Sequence, residues 1–178
     1  MKKSVLLLFF AGCVATGIFG IGRKIPMNRV NDLGQREGYW RDSVGGGFVY
    51  DLYYKGGKKD GLYKRFYRNK LFLFGEYTAD NMSGTWYMFG DEGELRCTID
   101  SIEFNKDSIY TGYPCCRIFC KYKCHSIDYY PSGAVKSEGY MVCDEEFEIE
   151  IWEIGEWKYY DESGSLIKTK DYGDRRTP

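Results

Sequence analysis

Residues 84–95 read Gly-Thr-Trp-Tyr-Met-Phe-Gly-Asp-Glu-Gly-Glu-Leu, and the pattern within them returns along the chain. A complete copy has a glycine, an aromatic residue two positions later, a second aromatic residue three positions after that, then a turn and a leucine. The motif glycines at 38, 61 and 84 are spaced by 23 residues, the length of one β-hairpin with its connection. A fixed period of this length predicts small units that bury a core only by stacking on their neighbours. The motif residues are Gly38, Trp40, Gly61, Tyr63, Gly84, Trp86, Phe89, Gly155, Trp157 and Tyr160.

Turn residues between the copies indicate hairpins. Asp91-Glu92-Gly93, Pro131-Ser132-Gly133 and Glu162-Ser163-Gly164 each place glycine where a tight turn needs a positive φ. The intervening segments are typical of strands, and residues 145–157 alternate acidic and apolar side chains. We find no amphipathic helix of useful length after residue 30. The sequence therefore predicts an all-β, extended antiparallel sheet of repeated hairpins.

Aromatic spacing raises a question about the two faces of this sheet. Trp86 and Phe89 are three positions apart, as are Trp157 and Tyr160, so each pair faces opposite sides of a regular strand. Either a bulge intervenes or both faces carry aromatic side chains. We expect most of the 32 aromatic residues to be core and cross-strand pairs. The alternative is an exposed aromatic strip that binds a partner or a glycan.

The repeated unit resembles the MORN-type repeat in its bacterial variant, Gly-x-Trp-x-x-Tyr, a turn, and Gly-x-Leu before an extended segment. Residues 84–100 and 155–171 are the close copies. Residues 129–135 look like a further unit, with His125 and Ile127 where glycine and tryptophan would stand, and the 31–44 unit departs from the motif after Trp40. The resemblance implies a twisted, MORN-like antiparallel sheet used for interaction. Many bacterial members of the family carry an antitoxin label.

The N-terminus indicates export. Lys2 and Lys3 precede an apolar run and Ala11-Gly12-Cys13, an order typical of a bacterial lipoprotein signal with Cys13 as the lipid acceptor, although Phe10 stands where leucine is usual. Residues 4–22 are 19 uncharged residues, so an uncleaved membrane anchor or an ordinary cleaved signal also fits. We therefore expect a signal or anchor segment at 1–22, a short tether at 23–30, the repeat domain at 31–172 and a flexible tail at 173–178. The expected location is the bacterial cell envelope, on its periplasmic side or surface.

Cysteine content agrees with export. With Cys13 lipidated, an even number of cysteines is left, which allows fifteen disulfide pairings in an oxidising compartment, and free structural thiols are the alternative. These six are Cys97, Cys115, Cys116, Cys120, Cys124 and Cys143. Cys116, Cys120 and Cys124 are spaced by four residues, and His125 follows directly. This spacing matches no zinc or iron–sulfur motif. We expect neither a metal nor another cofactor.

Other chemistry has little support in the sequence. His125 is the single histidine, and in a strand it points away from Cys124, so a catalytic pair is not expected. The acidic row Asp144, Glu146, Glu148 and Glu150 could bind Ca²⁺ or a basic partner, but the solvated face of an edge strand explains it better. Without residues 1–12 the chain has 23 basic and 26 acidic residues and no basic patch, which argues against nucleic acid.

The sequence therefore favours a non-enzymatic, envelope-anchored repeat module that binds an unidentified protein partner or surface ligand. An antitoxin or immunity-type protein is the alternative. An antitoxin against a cytosolic toxin must stay in the cytosol, which this N-terminus contradicts, whereas a periplasmic immunity role is compatible with export. A glycan-acting enzyme is disfavoured because no paired-carboxylate motif is evident.

Overall fold

The computed structural model describes residues 26–106, 110–111, 118–144 and 152–173. Within these ranges the chain forms thirteen β-strands and no helix, so the described part contains no helix able to cross a membrane. Residues 1–25, which carry the predicted signal and Cys13, lie outside the described ranges, as do residues 174–178 of the predicted tail.

Eleven strands form one open antiparallel sheet in which neighbours in sequence are neighbours in space, apart from the step from β7 to β10. The predicted all-β sheet of repeated hairpins is confirmed. Its strands are β1 (Arg29–Val30), β2 (Arg36–Val44), β3 (Phe48–Lys55), β4 (Lys58–Tyr67), β5 (Lys70–Thr78), β6 (Asn81–Phe89), β7 (Leu95–Phe104), β10 (Tyr122–Tyr129), β11 (Val135–Cys143), β12 (Trp152–Tyr160) and β13 (Leu166–Asp171). A separate two-stranded sheet is made by β8 (Tyr110–Thr111) and β9 (Ile118–Phe119).

One row of side chains crosses the sheet and contains the first aromatic residue of every motif copy. Residues paired directly across adjacent strands share a face, so this row defines a single face, which we call the front face. From β2 to β12 the row is Trp40, Leu52, Tyr63, Gly75, Trp86, Ile99, Ser126, Gly139 and Trp157. The core lies on this face, since Tyr63, Trp86 and Ile99 are almost completely buried.

The 129–135 unit is offset by one residue from the sequence expectation. Ser126, and not Ile127, pairs with Ile99 and so occupies the row position of Trp86. Ile127 pairs with Thr98 on the opposite side of the sheet, which we call the back face. The assignment of His125 and Ile127 to the motif positions is therefore wrong, because a one-residue shift in a strand exchanges its two faces.

Both faces carry aromatic side chains. The second aromatic residue of the motif lies on the back face, where the Tyr160 hydroxyl donates to Glu138 Oε1 at 2.6 Å and the Tyr129 hydroxyl lies 3.0 Å from Thr98 Oγ1. Bulges are present as well, in four of the described hairpins, each on the strand that follows the turn. One extra residue enters the register there, at Phe72, Arg96, Lys136 and Ile167.

Tryptophan packs on glycine at two places in the front-face row. A Cβ atom added at Gly75 would lie 2.1 Å from Trp86 Cδ2, and one added at Gly139 would lie 2.5 Å from the Trp157 ring. Each indole is therefore in direct contact with the backbone of the neighbouring strand. The Trp86 ring is also packed between Tyr63 and Tyr77, with centroid separations of 5.4 and 5.2 Å. Burying an aromatic ring this completely stabilises the fold by about 3–5 kcal/mol, judged from truncations to alanine.

The motif glycine has a separate, conformational role. Gly84 and Gly155 have φ angles of +65° and +61° at places where the pairing with the neighbouring strand shifts. A side chain is strained in this left-handed region, which explains why glycine precedes the motif tryptophan by two residues.

The sheet begins slightly before the expected start of the repeat domain. β1 pairs with β2 at Arg29 and Val30, within the segment predicted to be a tether. At the other end the Tyr172 hydroxyl lies 2.7 Å from the Tyr159 hydroxyl. The buried Asn105 follows β7, and its Nδ2 donates a hydrogen bond of 2.8 Å to the carbonyl of Cys120, which precedes β10. This bond joins the end of β7 to the start of β10.

We predict that Gly75→Ala destabilises the protein by about 1–3 kcal/mol, because the added methyl group displaces a fully packed indole. Urea unfolding of the full chain measures the change. Gly45→Ala is the matched control, since Gly45 has an ordinary φ and open space around its Cα, and it should change stability by less than about 0.5 kcal/mol. Equal stability of the two variants would show that the tryptophan–glycine contact is unimportant.

Candidate binding groove on the front face

The front face contains a groove of about 490 Å³ that six strands line, from β5 to β12. Its apolar lining includes Phe72, Met88, Cys97, Met141 and Trp157, one residue from each of five strands. Of these, Cys97, Met141 and Trp157 belong to the buried core, while Phe72 and Met88 pack against it partly exposed. The groove is thus an opening in the packed aromatic core, with a floor fixed by the sheet.

The repeated bulge supplies part of the lining. Phe72, Arg96 and Lys136 are the extra residues of three successive bulges, and all three line the groove. A bulge changes the direction of a side chain relative to a regular strand. Because the bulge recurs on every second strand of this part of the sheet, β5, β7 and β11 each place one bulge residue in the groove lining.

Charges of both signs surround the apolar floor. Arg96 and Lys136 are exposed, whereas Asp128 and Glu153 are half-buried. Ser137 Oγ donates to Asp128 Oδ2 at 2.8 Å, which holds that carboxylate in place. Lys136 Nζ lies 6.0 Å from the centroid of the Tyr130 ring, and Arg96 has no ion-pair partner among the described residues. Arg96 therefore offers a free guanidinium to a bound molecule.

The thiol that lines the groove, Cys97, has low reactivity. Cys97 Sγ lies 3.2 Å from Ser126 Oγ, and the residue is buried. Burial raises the pKa of the Cys97 thiol to about 12, with a smaller contribution from the nearby Asp128 carboxylate and an opposing one from the Ser126 hydrogen bond. Because the thiolate is the reactive form, Cys97 is a poor nucleophile at neutral pH.

The back face has smaller depressions. His125 lies in one of about 230 Å³ together with Glu138, Tyr140, Glu156 and Lys158. Its Nδ1 is 3.5 Å from Asp100 Oδ1, and its ring contacts Tyr140 edge-on. Cys124 belongs to the front-face core, so the two adjacent side chains point to opposite faces as expected from a strand. Another depression, of about 160 Å³, lies beside Tyr39 and Tyr53.

The structure separates most of the cysteines that the sequence groups together. Cys97, Cys120, Cys124 and Cys143 are all buried. Cys120 packs with Val142 and Ile154 in a small second cluster, while the other three belong to the main core. Cys115 and Cys116 lie outside the described residues. In the described part, no three His, Cys, Asp or Glu side chains are arranged to hold a metal ion. The disulfide expectation stays a prediction.

Of the acidic row, only Asp144 falls within the described ranges, and Glu146, Glu148 and Glu150 lie outside them. Sequence reasoning did not identify the groove residues Met88, Arg96, Asp128 and Lys136. A usable signal exists, because Arg96 and Lys136 each follow the apolar residue two positions after the turn glycine. Its meaning depends on the bulge, which is visible only in the strand pairing.

Comparison with models of known protein families gives no match, and no curated protein matches the sequence at a significant level.

We predict that the Cys97 thiol makes stability fall at alkaline pH. The pKa of this thiol in the folded protein, about 12, lies above the ordinary value of 9.0. The contribution of the protonated thiol to the free energy of unfolding is therefore complete below pH 9 and is lost as the pH rises from 9 to 12. The decline should approach about 1.4 kcal/mol per pH unit within that window.

The measurement is urea unfolding of the wild type and of Cys97→Ala at a series of pH values. The partly buried Tyr159 hydroxyl, whose pKa is raised by desolvation, acts in the same direction in both proteins and cancels in the difference. Parallel stability curves for the two proteins from pH 9 upward would contradict the assignment.

Proposed function

We propose that this chain is a non-enzymatic, MORN-type repeat module that binds a partner protein in the front-face groove, held at the bacterial cell envelope by its N-terminal segment. The observation that carries the proposal is the groove itself. It joins an apolar floor that several strands support to charged side chains of both signs at its margin.

A polypeptide fits this chemistry better than a small polar ligand. Phe72 and Met88 offer partly exposed apolar surface above the buried Met141 and Trp157, and methionine adapts its shape to different side chains. Arg96 and Lys136 suit carboxylates, and Asp128 and Glu153 suit basic groups, so a segment with both kinds of side chain finds complementary partners. A floor built on a sheet is preformed, which lowers the entropic cost of binding.

The arrangement of reactive groups supports binding rather than catalysis. The groove thiol of Cys97 is protonated at neutral pH, and His125 is on the back face, away from the groove. The Asp128 carboxylate accepts a hydrogen bond from Ser137 and has a structural task. Among the described residues, a nucleophile, a base and an orienting group do not come together around the groove as acyl-transfer or hydrolytic chemistry requires.

An immunity role is the alternative form of the same proposal. A toxin in the periplasm would then be the partner in the groove, and the antitoxin label of MORN-type relatives is what suggests it. The two forms differ in the identity of the captured protein, because a general scaffold binds an envelope component whereas an immunity protein binds a toxin whose activity it blocks.

Reversing the groove charges should weaken partner capture. We predict that Arg96→Glu with Lys136→Glu reduces capture by about tenfold or more, a loss of about 1.4 kcal/mol or more, because carboxylates of the partner would meet like charges. The full-length tagged chain is recovered from detergent-solubilised envelopes, and proteins bound to it are quantified by mass spectrometry.

Lys55→Glu with Lys158→Glu is the matched control, since both lysines are exposed, lie outside the groove and give the same change in net charge. Support comes from a protein that is captured by the wild type and the control and is lost with the groove variant. If both double variants keep all captured proteins, the groove is not the binding surface.

The N-terminal proposal has its own test. Cys13→Ser should release the protein from membranes or stall it as an uncleaved precursor, because serine cannot take the lipid. Fractionation of cells and the mass of the mature N-terminus measure the effect. Membrane association and processing identical to those of the wild type would rule out lipidation at Cys13 and favour an uncleaved anchor.

A further inference from the structure

Cys124 and Cys143 approach each other within the front-face core. Their Sγ atoms are 3.5 Å apart, and both residues are completely buried. Cys124 is on β10 and Cys143 on the adjacent β11, where Cys143 pairs with Tyr122 and Cys124 pairs with Met141. The two cysteines are thus diagonal neighbours at one end of the β10–β11 hairpin, 19 residues apart in sequence.

The other described cysteines have different neighbours. Cys97 is engaged with Ser126 Oγ at 3.2 Å and lies toward the opposite end of β10, where it pairs with Asp128. Cys120 packs against Val142 and Ile154 in the separate small cluster. Cys124 and Cys143, by contrast, have their sulfur atoms in contact with each other.

We propose that Cys124 and Cys143 form an intramolecular disulfide, which reduces the fifteen complete pairings that the sequence allows to about three, the number open to the remaining four cysteines. The co-reactant is a small-molecule or enzyme-borne disulfide. One protein thiolate attacks a sulfur of this reagent and releases a thiolate, and the second protein thiolate then attacks the protein sulfur of the mixed disulfide and releases the other. The protein loses two electrons and two protons, the reagent accepts both, and two reagent thiols result.

The fold determines when this bond forms. A disulfide has an S–S distance of about 2.05 Å, so the two sulfur atoms must move closer, and diagonal neighbours need a small shift of the strands to do so. In the folded protein both thiols are inaccessible, and the adjacent Cys143 thiol together with burial raises the pKa of Cys124. Thiol–disulfide exchange at these two cysteines is therefore slow in the folded protein and fast before the β10–β11 hairpin has formed.

The experiment uses the full-length chain in detergent, with oxidised glutathione as the probe. One sample is reduced, unfolded and refolded with glutathione present, and a second is folded in reductant, freed of it and then exposed to the same reagent. Both are alkylated, digested and analysed by mass spectrometry for linked peptides. We expect the refolded sample to contain the Cys124–Cys143 link, and the prefolded sample to acquire it at least tenfold more slowly.

Single variants make the assignment specific. Cys124→Ala and Cys143→Ala should each abolish the link and leave the partner thiol free to alkylation after unfolding. Cys97→Ala and Cys120→Ala are the matched controls, because they remove buried thiols with other neighbours, and both should retain it. Refolded protein in which Cys124 or Cys143 is linked to a different cysteine, or in which both are free, overturns the proposal. This result is independent of partner capture and leaves the groove proposal unaffected.

Discussion

The contact between an indole ring and the bare backbone of a neighbouring strand organises this protein. Trp86 covers Gly75 and Trp157 covers Gly139, and in both cases a single methyl group on the glycine would overlap the ring. An open sheet has no second layer of its own to bury its apolar residues, so large rings that lie close to the backbone are an efficient way to exclude water. Tyr63 and Tyr77 extend the same packing around Trp86.

The bulge that follows the β4–β5, β6–β7 and β10–β11 turns links this architecture to the groove. A regular repeat of hairpins would place identical side-chain patterns on every strand, with one face apolar and the other polar. The extra residue in β5, β7 and β11 instead brings Phe72, Arg96 and Lys136 to the margin of the apolar floor. The repeat can therefore keep its packing residues while the bulge residue varies from phenylalanine to arginine to lysine. In this arrangement the core and the proposed binding surface occupy the same face of the sheet.

Much of the fold was predictable because it depends on local and periodic signals. The turn glycines, the 23-residue spacing and the alternation of side chains are short-range properties, and they predict an all-β sheet of sequential hairpins correctly. The unit at 129–135 was misassigned by one residue, although a local signal is present, because Ser126 lies as far before the turn glycine Gly133 as Trp86 lies before Gly93. The groove was not predictable, because Met88, Met141 and Trp157 are distant in sequence and meet only through pairing of several strands.

The amino-acid sequence by itself determined the repeat, its turns, the strand content and the supply of aromatic residues. It also contains the N-terminal pattern on which the envelope proposal rests. Tertiary structure decided which residues share a face, since face assignment depends on register and a shift of one residue reverses it. It likewise decided that Cys124 lies beside Cys143 while Cys97 and Cys120 do not, because the pairing of β10 with β11, rather than distance along the chain, sets the separation of their sulfur atoms.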